Sequence, residues 1–300
     1  MTDVFEKIEG ITGVAARGNE LLSLHTTFGV GGPCDLMVWV STEEALKEVL
    51  AAAQAGGLPT FVLGRGSNLL VRDGGISGVV LRLVEELAGI DVTGLGIRAG
   101  GGASLGEVVS RATSAGIGGL EFLAGIPGTV GGAAVANAGA RDIWFGHYLA
   151  ELTILGSDLE TVRLSADELK FGYRTSSLAP DWIVIEAVLS GAAASVEEVR
   201  QKVETSLERR RRTQPVGERS AGCIFKNPSG DSAGRLIESA GLKGLTVGGA
   251  QVSPVHANFI VNTGGATARE ILDLVARIKD RVKVLNGVEL ELEVSVVGKD

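Results

Sequence analysis

Hydrophobic positions along the chain gather into short, β-branched-rich runs: Leu36–Val40, Thr60–Leu63, Val79–Leu83, Thr153–Leu155, Trp182–Leu189, Ala257–Val261 and Leu290–Val297. Runs of this length bounded by turn residues predict strands. Between them a helix-start signature recurs, a hydroxyl residue followed three positions later by glutamate. Ser41-x-x-Glu44 opens a segment that Gly56 and Gly57 are placed to stop, and Ser104-x-x-Glu107 opens one that Gly116 ends. Ser195-x-x-Glu198 and Thr267-x-x-Glu270 open two more. In each the hydroxyl and the carboxylate satisfy N–H groups that the first helical turn leaves unpaired. Strands and helices alternate early, then strands cluster from 60 to 190 with turn-rich links. The pattern predicts an α+β or mixed α/β chain. No repeat of 20–50 residues is present.

The helix predicted from Val196 ends in Arg209-Arg210-Arg211-Arg212, and Gln214-Pro215 follows. A proline after a long helix marks a boundary. We divide the chain at 1–70, 71–200 and 201–300, the first piece being a strand–helix–strand unit. The four arginines read most simply as a solvated helix C-terminus favoured by the dipole. A second reading gives one of them, Arg212, a phosphate to hold; the sequence leaves both open.

Composition narrows the function. The 300 residues carry a net charge of -8, which argues against a general nucleic-acid binder, and aromatic residues at 4% offer few stacking platforms. The N-terminal MTDVFEKIEG lacks an apolar signal core, and no stretch approaches a membrane span. Cys34 and Cys223 are far apart and form no metal-spaced pair, so a reduced, cytoplasmic compartment and no metal are expected. Glycine is the anomaly: 44 residues, about twice the ~7% background, without collagen periodicity.

Much of that glycine falls in loops suited to a ligand. Gly64-Arg65-Gly66-Ser67-Asn68-Leu69-Leu70 follows a strand-like run. Its glycines let successive N–H groups converge, as in a pyrophosphate cradle, although a strand-to-strand turn explains the spacing equally well. Gly125-Ile126-Pro127-Gly128-Thr129-Val130-Gly131-Gly132-Ala133 runs on to Asn137-Ala138-Gly139 with few side chains to obstruct a ligand. It reads as a wall along an extended nucleotide, the alternative being a tight turn before a small-residue helix. Thr27-Phe28-Gly29-Val30-Gly31-Gly32 is a third, weaker glycine loop. Gly94-x-Gly96-x-x-Ala99 fits a dinucleotide fingerprint on paper, but no capped helix begins there, and a tight hairpin is the better reading. No P-loop is present.

Taken in order, T-F-x-x-G-G, G-x-G-S-N-L-L and A-G-I-P-G-T-V-G-G-A with N-A-G-A resemble flavoproteins of the vanillyl-alcohol-oxidase/para-cresol-methylhydroxylase type. Later come Tyr173-Arg174-x-Ser176, Ser220-Ala-Gly222-Cys223-Ile-Phe225-Lys226-Asn227-Pro228, His256-Ala-Asn258 and Leu292-Glu293-Val294. With these the chain, from about residue 24 to 298, is most similar to the UDP-N-acetylenolpyruvoylglucosamine reductase (MurB) family. The resemblance implies an α+β chain, a flavin-binding fold of that type over residues 1–70 and 71–200 plus a C-terminal α+β substrate domain over 201–300. It implies non-covalent FAD, NADPH as reductant, and conversion of UDP-GlcNAc-enolpyruvate to UDP-N-acetylmuramate for peptidoglycan, by a cytoplasmic monomer. The 64–69 and 125–139 loops then hold FAD.

By the same resemblance Arg174 steadies the substrate carboxylate, for which a guanidinium fork is suited. Glu293 is the assisting acid and Cys223 the proton donor, while Tyr173, Lys226, Asn227, His256 and Asn258 bind substrate. Serine is usual where Cys223 stands. A thiol of ordinary pKa about 8.5 still holds a proton near neutrality and releases it more readily than an alcohol. Pro180 follows Arg174 closely, leaving no room for the tyrosine-bearing lid of some members, so the shorter, lidless type is expected. Two other classes compete: an alcohol-oxidising flavoenzyme on the same scaffold, lacking the Cys223 and Glu293 motifs, and a non-catalytic nucleotide-binding protein.

Overall fold

The computed structural model describes residues 2–140 and 143–300. The chain forms two compact units: 1–17, 36–64 and 78–209 make the first, and 18–35, 65–77 and 210–300 the second.

In the first unit α1 (Thr2–Glu9) and α2 (Glu43–Ala55) cover a sheet of order Val14–Leu21, Pro33–Val40, Ile76–Leu83, Thr60–Val62. Thr60–Val62 pairs parallel with Val79–Leu81. Leu46, Val49 and Ala53 of α2 recur at helical spacing and are buried with Leu36, Val38, Val79 and Leu81. The helix is capped by Thr42, whose hydroxyl accepts from Ala45 N. This corrects the sequence expectation of Ser41, whose hydroxyl instead donates to the Gly13 carbonyl at 2.8 Å. A second, fully antiparallel sheet has the order Thr161–Ser165, Leu149–Leu155, Ile183–Ser190, Gly96–Gly100, Ile90–Thr93. Its last two strands form the hairpin expected at Gly94, which takes φ +60°. Packed on this sheet are α3 (Leu105–Ser114), capped by Ser104 as expected, and the short α4 (Val130–Val135). The long α5 (Val196–Thr213) opens with the Ser195–Glu198 capping box and carries the four arginines at its C-terminus.

The second unit packs α6 (Ala233–Ser239) and α7 (Ala268–Asn286) with the three-stranded antiparallel sheet Thr246–Val247, Ala250–Val252, Ile260–Asn262. The buried face of α7, with Ile271, Leu274, Val275, Ile278 and Val282, follows the 3.6-residue period. The helix opens with the Thr267–Glu270 capping box and closes on Gly287 at φ +68°. Asp73 adds a carboxylate to the same N-terminus, accepting from Ala268 N at 2.8 Å and Arg269 N at 3.0 Å. A parallel pair joins Leu69–Val71 to Ser295–Val297. The strands expected over Ala257–Val261 and Leu290–Val297 are shorter, at Ile260–Asn262 and Ser295–Val297.

Candidate functional site

In the first unit two glycine loops meet. A Cβ at Gly64 would lie 2.7 Å from the Thr129 hydroxyl, so only glycine admits this approach. Thr129 caps α4, accepting from Gly132 N, and the first residues of α4 are fastened to the loop that follows the strand Gly96–Gly100. Val130 N donates to Ala103 O at 2.9 Å and Gly131 N to Gly101 O at 2.8 Å. The segment is a buried turn leading into a small-residue helix, one of the two readings the sequence left open. Gly125, Pro127, Gly132 and Val135 are its exposed residues, and Val135, half exposed at the end of α4, carries the one large side chain among them. Such a segment suits the close approach of an extended dinucleotide.

Tyr173 and Arg174 form the two-residue tip of a hairpin in which Phe171 pairs with Ser176 and Gly172 with Thr175. Arg174 takes φ +56°, a left-handed conformation that a non-glycine residue adopts at a cost of order 1–3 kcal/mol, and such strain gathers at functional sites. Three contacts fasten this hairpin to the glycine-rich segment. Asn137 Nδ2 donates to Gly172 O at 2.8 Å, Ser176 Oγ to Val135 O at 2.8 Å, and the Arg174 guanidinium to Gly139 O at 3.3 Å. The guanidinium also stands 5.5 Å from the Tyr173 ring centroid, within cation–π reach. Asn137 is 1% exposed and its Oδ1 accepts from Gly146 N at 3.0 Å. Both ends of its amide bond protein, so it supports the hairpin. Ser176 was visible in the Tyr-Arg-x-Ser motif, but nothing in the sequence marked it as a brace.

In the second unit the segment Cys223–Lys226 runs between two neighbours. Cys223 bridges Phe259 and Phe225 bridges Leu292, both antiparallel. Ile224 N donates to Asn258 O at 2.8 Å, and Glu293 N donates to Ile224 O at 2.8 Å. The expected donor and the expected acid thus sit on adjacent, hydrogen-bonded segments. Gly222, at φ +76°, makes the turn that delivers Cys223. Asn258, 3% exposed, places its Oδ1 on Phe225 N at 3.0 Å and its Nδ2 on Phe225 O at 2.8 Å. Its amide holds the backbone of Phe225 within the Cys223–Lys226 segment. Asn227 Oδ1 accepts from Ala233 N at 3.1 Å at the start of α6, and Lys226 Nζ lies 3.6 Å from Glu291.

The loop at 65–69 belongs to this unit. Gly66 takes φ +60°, and a Cβ there would lie 2.5 Å from the His25 carbonyl. Ser67 and Asn68 form the turn that leads into Leu69–Val71, and Asn68 Nδ2 donates to Glu293 O at 3.1 Å. Arg65 is exposed, with Ser67 and Leu69 half-buried beside it. His256 packs its ring 4.9 Å from that of Phe259, and its Nδ1 accepts from Asn258 N at 3.2 Å. Burial holds this imidazole below its ordinary pKa, with the Lys243 charge acting in the same direction. The two thiols differ: Cys34 is buried and burial pushes it up to about 11, whereas Cys223 is half-buried. Among the described residues no cluster of three His, Cys, Asp or Glu is arranged to hold a metal, and no helix is long and apolar enough to cross a membrane.

Comparison with known proteins gives the class, an FAD-binding oxidoreductase. The family model of the FAD binding domain matches residues 34–165. The fold is shared with glucooligosaccharide oxidase from Acremonium strictum, with a TM-score of 0.51 over 96% of this chain and 59% of that one at 12% identity. A second family model, the C-terminal domain of UDP-N-acetylenolpyruvoylglucosamine reductase, matches residues 214–297. The UDP-N-acetylenolpyruvoylglucosamine reductase 2 of Symbiobacterium thermophilum is 46% identical over 94% of this chain and 92% of its own. The crystal structure of the corresponding reductase from Thermus caldophilus superposes with a TM-score of 0.82, 42% identity, and coverage of 94% of this chain and 98% of that one. The chain belongs to the UDP-N-acetylenolpyruvoylglucosamine reductase family.

Proposed function

We propose that this chain reduces the enolpyruvyl double bond of UDP-GlcNAc-enolpyruvate to give UDP-N-acetylmuramate, with NADPH as reductant. The observation that carries the reading is the family match along nearly the whole chain, with both the flavin half and the substrate half present. FAD, when bound, carries hydride from the nicotinamide to one carbon of the double bond.

The protein's own residues supply the rest. We assign FAD to the 64–69 loop and to the segment from Gly125 to Gly139, within residues 1–70 and 71–200, and substrate recognition to 201–300. Arg174, pre-set at its hairpin tip, pairs with the substrate carboxylate and the negative charge that develops beside it. Cys223 gives the proton to the carbon next to the one that receives hydride, leaving a thiolate that solvent reprotonates. Glu293 assists at the same centre. Lys226 contacts the anionic substrate once Glu291 releases it, and Tyr173 lends its ring edge and hydroxyl. Asn227 and His256 complete the recognition set. Cytoplasmic residence and a monomeric state belong to the same proposal.

The test is NADPH oxidation followed at 340 nm with purified yellow protein, with and without UDP-GlcNAc-enolpyruvate. Substrate-dependent consumption with stoichiometric UDP-N-acetylmuramate is expected. Consumption driven by oxygen alone, indifferent to the sugar nucleotide, would overturn the reading.

A further inference from the structure

Thr27 touches two of the loops discussed above, and the proposed chemistry leaves it without a task. Its main-chain N–H donates to Gly66 O at 3.2 Å. Its hydroxyl donates to Ser220 O at 2.7 Å, with Gly66 O further away at 3.3 Å. Gly66 is the centre of the loop assigned to the pyrophosphate, and Ser220 opens the turn Ser220–Gly222 that delivers Cys223. The far end of that turn is held by the Cys223–Phe259 bridge and by Ile224 N on Asn258 O. Its near end is held by Thr27 at Ser220 and, one residue earlier, by the Arg219–Asn262 bridge, in which Asn262 N donates to Arg219 O at 2.8 Å. Between the two holds lies Gly222 in the left-handed region, with nothing within 4 Å of where a Cβ would be, so local packing does not restrain the residue next to the thiol. Two residues beyond Gly66 in the same loop, Asn68 fixes the other acid through Glu293 O at 3.1 Å.

We propose that Thr27 is a positioning residue that sets the Cys223 thiol for proton transfer by tying its turn to the glycine loop at Gly66. The inference rests on the assignment of Cys223 as proton donor. Its physical basis is the sensitivity of proton transfer to donor placement: a misplacement of about 1 Å costs on the order of 10²-fold. Thr27 touches neither substrate nor cofactor in this account. Its hydroxyl acts through the Ser220 carbonyl, so any residue that keeps that hydroxyl keeps the effect. Valine matches threonine in shape but has no donor, and it leaves the Thr27 N–H on Gly66 intact. The turn then loses its hold at Ser220, keeping the Arg219–Asn262 bridge before it, while the glycine loop keeps its fastening.

The experiment compares Thr27→Val, Thr27→Ser and Cys223→Ala as FAD-loaded proteins in stopped flow. For Thr27→Val we expect flavin content and the rate of flavin reduction by NADPH within about twofold of wild type, and reoxidation by UDP-GlcNAc-enolpyruvate slowed roughly 10–100-fold. Thr27→Ser should return reoxidation to within about threefold. A second readout needs no turnover: alkylation of Cys223 by iodoacetamide, read by mass spectrometry, should quicken at least about threefold in Thr27→Val, while buried Cys34 stays unmodified. Thr27→Val added to Cys223→Ala should slow reoxidation no further. If both half-reactions slow together, or serine fails to rescue, Thr27 is an ordinary turn fastener and the proposal fails. If Cys223→Ala leaves reoxidation untouched, the donor assignment falls first. If Cys223→Ala slows reoxidation and Thr27→Val does not, only the positioning role is lost.

Discussion

The main-chain N–H of Glu293 donates to the carbonyl of Ile224 at 2.8 Å. Ile224 follows Cys223 directly, so this bond fixes the register between the segment carrying the thiol and the segment carrying the carboxylate. Glu293 is held from its other side as well, its carbonyl accepting from Asn68. Two acids separated by seventy positions in the sequence thus share one rigid backbone frame, and their contributions can be separated by changing side chains without moving that frame.

Cys223→Ala should separate the half-reactions. Flavin reduction by NADPH needs no proton at the sugar's side chain and should stay near wild type in stopped flow. Reoxidation by substrate should slow by roughly 10²–10⁴, the usual contribution of a positioned acid. Cys223→Ser should recover much of the loss. Equal slowing of both phases would make Cys223 a packing residue.

Arg174→Ala and Glu293→Gln should each lower turnover by roughly 10²–10³ while flavin content, read from absorbance per polypeptide, stays near normal. Arg174→Lys should recover only part, because a single ammonium cannot reproduce the planar fork. Near-normal turnover in either variant would remove that residue from the catalytic set.

Asn258→Ala is expected to act on stability first. It strips both hydrogen bonds from the buried backbone of Phe225, and each buried group left unpaired costs about 1–3 kcal/mol. A loss of about 2–4 kcal/mol in urea unfolding is expected. An unchanged unfolding midpoint with a raised KM for the sugar nucleotide would instead place Asn258 on substrate.

His256 predicts a pH dependence of stability. Burial lowers its pKa in the folded state, so the unfolded chain takes up the proton more readily. Stability from this residue is therefore complete above the unfolded pKa near 6.5 and is lost as pH falls below it toward the folded value. Protonating Nδ1 also removes the acceptor for Asn258 N. Urea midpoints measured from pH 8 to pH 5 should fall less steeply in His256→Gln than in the parent. Parallel curves would show that His256 does not titrate in this range.

What the sequence revealed and what it hid follow from the range of the interactions. The capping boxes at Ser195 and Thr267 and the hairpin at Gly94 are local, and the structure has them where the spacing put them. Ser41 failed as a cap because a distant carbonyl, that of Gly13, took its hydroxyl, and no local rule sees such a competitor. Asn137 and Asn258 stood inside glycine-rich or polar motifs, and the sequence did not show that their amides also bond the backbone of Gly172, Gly146 and Phe225, which lie on other elements. Thr27 lay in a motif recognised from its glycines, and its hydroxyl's partner, Ser220, was 193 positions distant.

The parallel pairing of Leu69–Val71 with Ser295–Val297, reinforced by Arg72 on Asp300 and Gly74 N on Lys299 O, bears on how the protein is made. A ribosome adding about 5–20 residues per second needs roughly ten to forty-five seconds to travel from one strand to the other. Throughout that interval the strand that continues the glycine loop has its hydrogen-bonding edge open. A nascent chain that stops short of residue 295 lacks the partner that fixes this loop.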